Sequence, residues 1–297
     1  VELFHAISSP VFQDLQPLTG TSLADLRRES LDMLQKRLEA SAERADARDV
    51  TVNCHVTWDY PPHEAIVRRA SRTGADLIIA EYHDGSRLKP WLLHLTDWEL
   101  LRLSPVPVLL LRDTRKYLRP AVLAAVDPSR THEKPAKLDL EIMAAGELLA
   151  DSLQGSLHAM HANYPMLTGL KLGDTVFDAG ALAESYRDQK RQDSAAFRAF
   201  ADKAGIPRAK RHELDGDPVY AIPKAAAATR AQIVVMGAVS RSGLKRVFIG
   251  NTAERVLNAL PCDVLVVKPP RFEKKRVQKA SRGMRVISAT PLVSVSV

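Results

Sequence analysis

The stretch "AQIVVMGAVSRSGLKRVFIGNTAERVLNALPCDVLVV", Ala231 to Val267, sets a loop with three glycines (Gly237, Gly243, Gly250) between two short apolar runs. Runs of this length and character suit strands buried on both faces, and a helix is expected to start at Thr252. The segment therefore reads as strand, loop, helix, strand. Its loop either cradles a phosphate or simply turns the chain from strand to helix. An apolar outline of the same kind occurs at 75–112, "ADLIIAEYHDGSRLKPWLLHLTDWELLRLSPVPVLLLR", without those glycines.

Working outward, the likeness extends along the chain. "VELFHAI" (1–7) lies over "LHAMHAN" (157–163), which places His5 over His161. "PHEAIVRRASRTGADLII" (62–79) lies over "PVYAIPKAAAATRAQIVV" (218–235), and "TDWELLRLSPVPVLLLR" (96–112) over "TAERVLNALPCDVLVVK" (252–268). Pro62 falls on Pro218, and this offset of 156 holds in all three segments, which identifies two copies of one unit. The copies join near "DTRKYLRP" (113–120). The second opens at Pro120 with "AVLAAVDPS", whose counterpart would fall ahead of Val1, so the first copy is expected to lack its opening strand and helix here. The expected domains are 1–113, 120–270 and a basic, mobile tail at 271–297.

In the complete copy strands alternate with helices: "AVLAAV" (121–126), a helix over 138–153, "LHAMHA" (157–162), a long helix over 181–204, "AKRHEL" (209–214), a helix from Pro218, "QIVVM", the loop, a helix from Thr252, and "DVLVVK". Five strands with helical crossovers predict α/β architecture: two tandem, doubly wound, five-stranded parallel-sheet domains. Ligands of such sheets sit beyond the carboxyl ends of the strands, where strand order reverses. With the first strand central, Asp127 and Gly237 flank that crevice. Gly250, Asn251 and Thr252 stand at a helix N-terminus, where free N–H groups and the helix dipole favour an anion.

These residues carry a resemblance. The block 237–268 with "VDPS" and "GDPVYAI" resembles the universal stress protein family, and the two copies with "GNTAE" and "KPP" resemble its tandem E-type branch. The resemblance implies an adenine-nucleotide alpha-hydrolase-like fold and, in nucleotide-binding members, a loop of G, two residues, G, nine residues, G, then Ser or Thr. On this chain those positions are Gly237, Ser240, Gly250 and Asn251, and Asp127 matches the family aspartate that contacts the adenosine end of the nucleotide. The implied cofactor-binding set is Asp127, Gly237, Ser240, Gly250, Asn251 and Thr252, with ATP or AMP as ligand. A Cβ at Ser240 obstructs a phosphate that a second glycine would admit. In the first copy the corresponding positions are Glu81, Asp84, His94 and Leu95, which oppose an anion. The alternative is a nucleotide-independent stress protein acting through partner contacts or an apolar ligand.

Simpler readings stand beside these. "NTAE" (251–254) and "TDWE" (96–99) fit helix capping boxes, and Asp127 fits a turn residue that starts a helix. His158 and His161 are three apart on a strand and so face opposite ways, which speaks against a chelating pair. His5 and His161 read as core or interface histidines, and His55, His63, His83 and His94 lack metal-ligand spacing.

Composition restricts the remaining classes. The net charge is +7, but Arg271, Lys274, Lys275, Arg276, Lys279, Arg282 and Arg285 stand against Glu273 alone in the tail, which leaves the body nearly neutral. A solvated tail is expected rather than a nucleic-acid site. The two cysteines, Cys54 and Cys262, give neither a disulfide framework nor a local zinc motif, and a cytoplasmic location is expected. No apolar run has the length to span a bilayer, and the chain opens without Met, so its start is expected to be missing. Phosphate-loop, nucleophile-elbow and HExxH motifs are absent, so no catalytic residue and no metal ligand is nominated. The outer strands "PVLLLR" (107–112) and "DVLVVK" (263–268) are expected to pair the copies as a pseudo-dimer, with a homodimer as a further possibility for the whole chain.

Overall fold

A computed structural model of the chain describes residues 1–7, 23–45, 49–82, 90–113, 115–129, 137–164, 179–237 and 251–269. In chain order the elements are β1 (Glu2–Ile7), α1 (Leu23–Arg44), β2 (Asn53–Trp58), α2 (Pro62–Thr73), β3 (Ile78–Glu81), α3 (Pro90–Leu103), β4 (Val108–Leu111), β5 (Ala121–Ala125), α4 (Leu138–Ser152), β6 (Ser156–Asn163), α5 (Ala179–Lys203), β7 (Arg211–Asp215), α6 (Pro218–Thr229), β8 (Ala231–Gly237), α7 (Asn251–Ala259) and β9 (Asp263–Val267). The offset of 156 carries α2 onto α6 end for end. The tail at 271–297 lies outside the described residues.

The chain divides into two compact units, one containing Val1–Arg69 and the other Ala70–Lys274. In the first, β1 pairs in parallel with β2, from Glu2 opposite Asn53 to Ile7 opposite Trp58, and α1 packs on both strands. Arg69, at the end of this unit, grips the Glu2 carboxylate with two nitrogens at 2.6 and 2.7 Å. That bidentate bond holds the Glu2 carboxyl below its usual range.

The second unit is built on a seven-stranded sheet ordered β3-β4-β9-β8-β5-β6-β7. Strands β9, β8, β5, β6 and β7 run parallel and form a five-stranded second repeat with β5 at its centre. Both faces of this sheet are covered. Val122, Ala124 and Val126 join Ile142 and Met143 of α4 and Phe197 and Ala201 of α5 in one buried cluster. Leu123, fully buried on the alternate side of β5, belongs to the face on which α6 packs against β5 to β8. Burial on both faces is why β5 and β8 are near-continuous apolar runs instead of alternating ones.

The first repeat places β3 beside β4 and β1 beside β2, as β8 stands beside β9 and β6 beside β7 in the second. In the second repeat β5 joins those two pairs. The residues that would project onto β5 fall ahead of Val1, so among the described residues the first repeat's strands form two separate pairs. β4 meets β9 antiparallel, with Val108 opposite Val266 and Leu110 opposite Val264. Leu109 and Leu265 share the buried cluster, so one core runs through this junction. The unit boundary thus lies inside the first repeat, because β3 and β4 are hydrogen-bonded into the second repeat's sheet.

The connection after β4 is tied to the start of β9. Asp263 is 2% exposed. Its carboxylate accepts the backbone N–H of Arg112 at 2.6 Å, that of Asp113 at 3.1 Å, and the Tyr117 hydroxyl. Three donors make burial of the carboxylate tolerable. Burial and then the Asp263 carboxylate push the Tyr117 phenol well above its ordinary range.

Candidate functional site

The carboxyl ends of β5 and β8 come together as the strand order requires. Ala124 is paired with Val235, so Asp127 and Gly237 follow the same rung of the ladder on neighbouring strands. Because β6 lies on the other side of β5, strand order reverses there.

Asp127 is held by its surroundings. Its N–H donates to Asp139 Oδ1 at 3.0 Å, and Ser129 donates its hydroxyl to Asp127 Oδ1 at 2.8 Å. The second contact is a side-chain bond across the turn at "DPS". Asp127 does not start α4, which begins at Leu138, after Lys137 in a left-handed conformation with φ 73°. The helix-starting reading of Asp127 is therefore corrected. What the turn does is leave the Asp127 side chain 41% exposed at the strand end.

Under Asp127 lies His161 of β6. The ring is buried, stacked on Phe197 with centroids 5.6 Å apart. Its Nδ1 lies 3.2 Å from the Val126 carbonyl, which can only accept, so Nδ1 carries the proton. The Asp127 carboxylate is 3.7 Å from the same nitrogen. Among the described residues His161 Nε2 and Asn163 Oδ1 are buried without a hydrogen-bond partner. His161 is thus a core histidine, as its repeat position predicted, but its counterpart His5 is exposed on β1. In the second repeat, Phe197 of α5 covers this position.

Gly237 ends β8, and its lack of a side chain has a nearby cause. A Cβ there would stand 2.6 Å from Leu138 Cδ2, so the first turn of α4 packs directly onto the glycine. Ser240 and Gly250 lie outside the described residues. Asn251 is the first residue of α7, and Thr252 beside it is exposed. The structure therefore places Asp127, Gly237, Asn251 and Thr252 and brings the first two together at adjacent strand ends. Sequence reasoning missed Leu138 and Asp139, whose roles rest on side-chain packing and on a bond across the loop.

The capping reading of "TDWE" is also corrected. α3 starts at Pro90, so Thr96 is inside the helix. Proline is favoured in the first turn, and the apolar run after it extends the helix six residues ahead of the predicted start. Of the first-repeat counterparts of the loop, Glu81 ends β3, Asp84 lies outside the described residues, and His94 and Leu95 fall within α3.

On the opposite face of β6, His158 Nδ1 lies 3.0 Å from His212 Nε2 of β7, and Ser156 Oγ lies 3.2 Å from His158 Nε2. Burial, then the neighbouring His212 and Lys210, lowers the His158 pKa, and burial lowers that of His212. The pair lies toward the strand starts, away from Asp127. Among the described residues no helix is long and apolar enough to cross a membrane.

The chain matches the Universal stress protein family over residues 1–112 and 120–268. It is 32% identical over 232 residues to Universal stress protein E of Escherichia coli strain K12, covering 75% of this chain and 70% of that protein. To the Universal stress protein E homolog of Haemophilus influenzae it is 29% identical over 226 residues, 75% of this chain and 72% of that protein. The crystal structure of PA1789, a functionally unknown protein of Pseudomonas aeruginosa PAO1, covers 90% of this chain and 92% of its own, with TM-score 0.63 and 25% identity. The duplicated sequence, the parallel sheet with β5 at its centre and these matches agree: the chain belongs to the universal stress protein family.

Proposed function

We propose that the protein serves a stress response as a non-catalytic binding protein, and that its second repeat binds ATP or AMP. The observation that carries this reading is the meeting of Asp127 and Gly237 at adjacent strand ends beside the reversal of strand order. Asp127 then reaches the ribose or adenine, and the N–H groups from Gly250 to Thr252 face the phosphates at the start of α7. The β4–β9 pairing supports an intramolecular pseudo-dimer with the first repeat as structural partner. A cytoplasmic location and a homodimer of whole chains belong to the same proposal.

Titration calorimetry with Mg-ATP and AMP tests it on the parent, Asp127→Ala, Gly250→Val and Ser240→Gly. Parent binding, its loss in the first two variants and a gain of about 1 kcal/mol in the third are expected. Absence of binding at millimolar ligand in all four folded proteins sinks the nucleotide reading. One observation favours the nucleotide-independent alternative: Leu138 already fills the space that Gly237 leaves, so packing alone accounts for that glycine.

A further inference from the structure

Helix α7 is held from the first repeat by three side chains. Tyr82, just past β3, donates its hydroxyl to Asn258 Oδ1 at 2.9 Å. Arg102 of α3 reaches Glu254 at 3.5 Å while its other terminal nitrogen is bound by Glu99 at 2.5 Å. Arg112, following β4, donates to the Leu257 carbonyl at 2.5 Å and lies 3.7 Å from the centre of the Tyr82 ring. Glu254, Leu257 and Asn258 are spaced three and four apart and share one face of α7.

The chemistry of these contacts is that of a helix holder. α7 has nine residues, too few to be stable alone, so its position depends on what packs against it. Leu257 lies in the last turn, whose carbonyls have no partner within the helix. A guanidinium there satisfies one of them and places positive charge at the negative end of the dipole. Tyr82 stacks under that guanidinium and fixes its direction. The offset of 156 puts Ala238 and Lys268 at the positions of Tyr82 and Arg112, so the aromatic and guanidinium pair is supplied by the first repeat only.

We propose that the first repeat acts as the positioning partner of α7, and that it tunes the second repeat's ligand site through that helix, with Arg102 at its first turn and Tyr82 and Arg112 at its last. The ligand half of this inference rests on the nucleotide reading above; the holding of α7 does not. The first repeat then has a definite task at its partner's site.

Hydrogen exchange followed by mass spectrometry, together with Mg-ATP and AMP titration, tests this on the full chain as parent, Tyr82→Phe, Arg112→Ala and Arg112→Lys. Backbone amides of β5 and β6 report that the fold is intact. In Arg112→Ala, exchange of the Arg255–Leu260 amides is expected to rise about tenfold, as for loss of a charge-assisted bond, with β5 and β6 unchanged. Arg112→Lys, which keeps a donor and the charge, restores part of the protection. Nucleotide affinity is expected to fall in the same order. Unchanged α7 exchange in both Arg112→Ala and Tyr82→Phe overturns the holding of α7. Faster α7 exchange at unaltered affinity overturns the tuning while leaving the nucleotide reading in place. Should the parent bind neither nucleotide, the reading of the ligand fails separately, and the exchange data alone decide whether the first repeat holds α7.

Discussion

Gly237 offers a quantitative test of what its missing side chain is for. An added Cβ would stand 2.6, 3.0 and 3.1 Å from Leu138 Cδ2, Cγ and Cδ1, where ordinary contact starts at 3.4 Å. Leu138 is 4% exposed among Ile142, Val126 and Val267, so it cannot yield without disturbing them. Gly237→Ala is therefore expected to cost about 1–3 kcal/mol as overpacking, and Leu138→Ala about 2–5 kcal/mol as a cavity. In the double variant the new methyl occupies space that the leucine vacates. Its loss should fall short of the summed single losses by about 1–2 kcal/mol, within the range found for residues in contact. Equilibrium urea unfolding followed by circular dichroism measures all four proteins, with equal m-values as the check on a common unfolded state. Losses that add to within about 0.5 kcal/mol would refute the packing account of this glycine.

Three further outcomes follow from the geometry. Asp263→Ala leaves the Arg112 and Asp113 amides and the Tyr117 hydroxyl without their acceptor and should cost about 3–5 kcal/mol in chemical unfolding, with Tyr117→Phe costing less; a loss under about 1 kcal/mol contradicts the tie. The folded-state pKa values of His158 and His212 are lowered, so the unfolded chain binds more protons near the ordinary histidine pKa, and stability should decline as pH falls through about 6.5 toward 5. Replacing both with Gln should flatten that part of the melting-temperature profile, and an undiminished acid slope in the double variant tells against the pair. Lys268 is 7% exposed, and burial lowers its pKa from 10.5 to about 8, so stability should grow as pH rises from 8 toward 10. Lys268→Met should remove this gain and stabilise the protein at pH 7 by about 1–3 kcal/mol; the paired comparison cancels the opposite contribution of Cys262, whose pKa burial raises to about 11.

What could be read from the residues was mainly periodic. A constant offset located both repeats, and in the second the alternation of short strand-like runs with helical segments marked five parallel strands with β5 at the centre, which placed Asp127 and Gly237 at one crevice. Local signals did worse where a longer-range partner decided the outcome. Thr96 carried a capping pattern, yet the apolar turn from Pro90 had already begun the helix. At Gly237 the packing partner, Leu138, lies on a helix reached only by folding, so that contact was not legible in the loop motif. His5 and His161 occupy one repeat position with opposite exposure; His161 has the Val126 carbonyl and the Phe197 ring against it, partners that lie far away in sequence.

The antiparallel joint between β4 and β9 also has a consequence during synthesis. Asp263 emerges from the ribosome roughly 155 residues after Val108, an interval of about 10–30 s at ordinary translation rates. Throughout it the "VLLL" strand carries an open hydrogen-bonding edge, the kind that templates aggregation. Its eventual partner is encoded on the same chain and arrives at an effective concentration set by the tether, however dilute the protein is in the cell. Duplication in one polypeptide thus converts a bimolecular assembly step into a timed intramolecular closure.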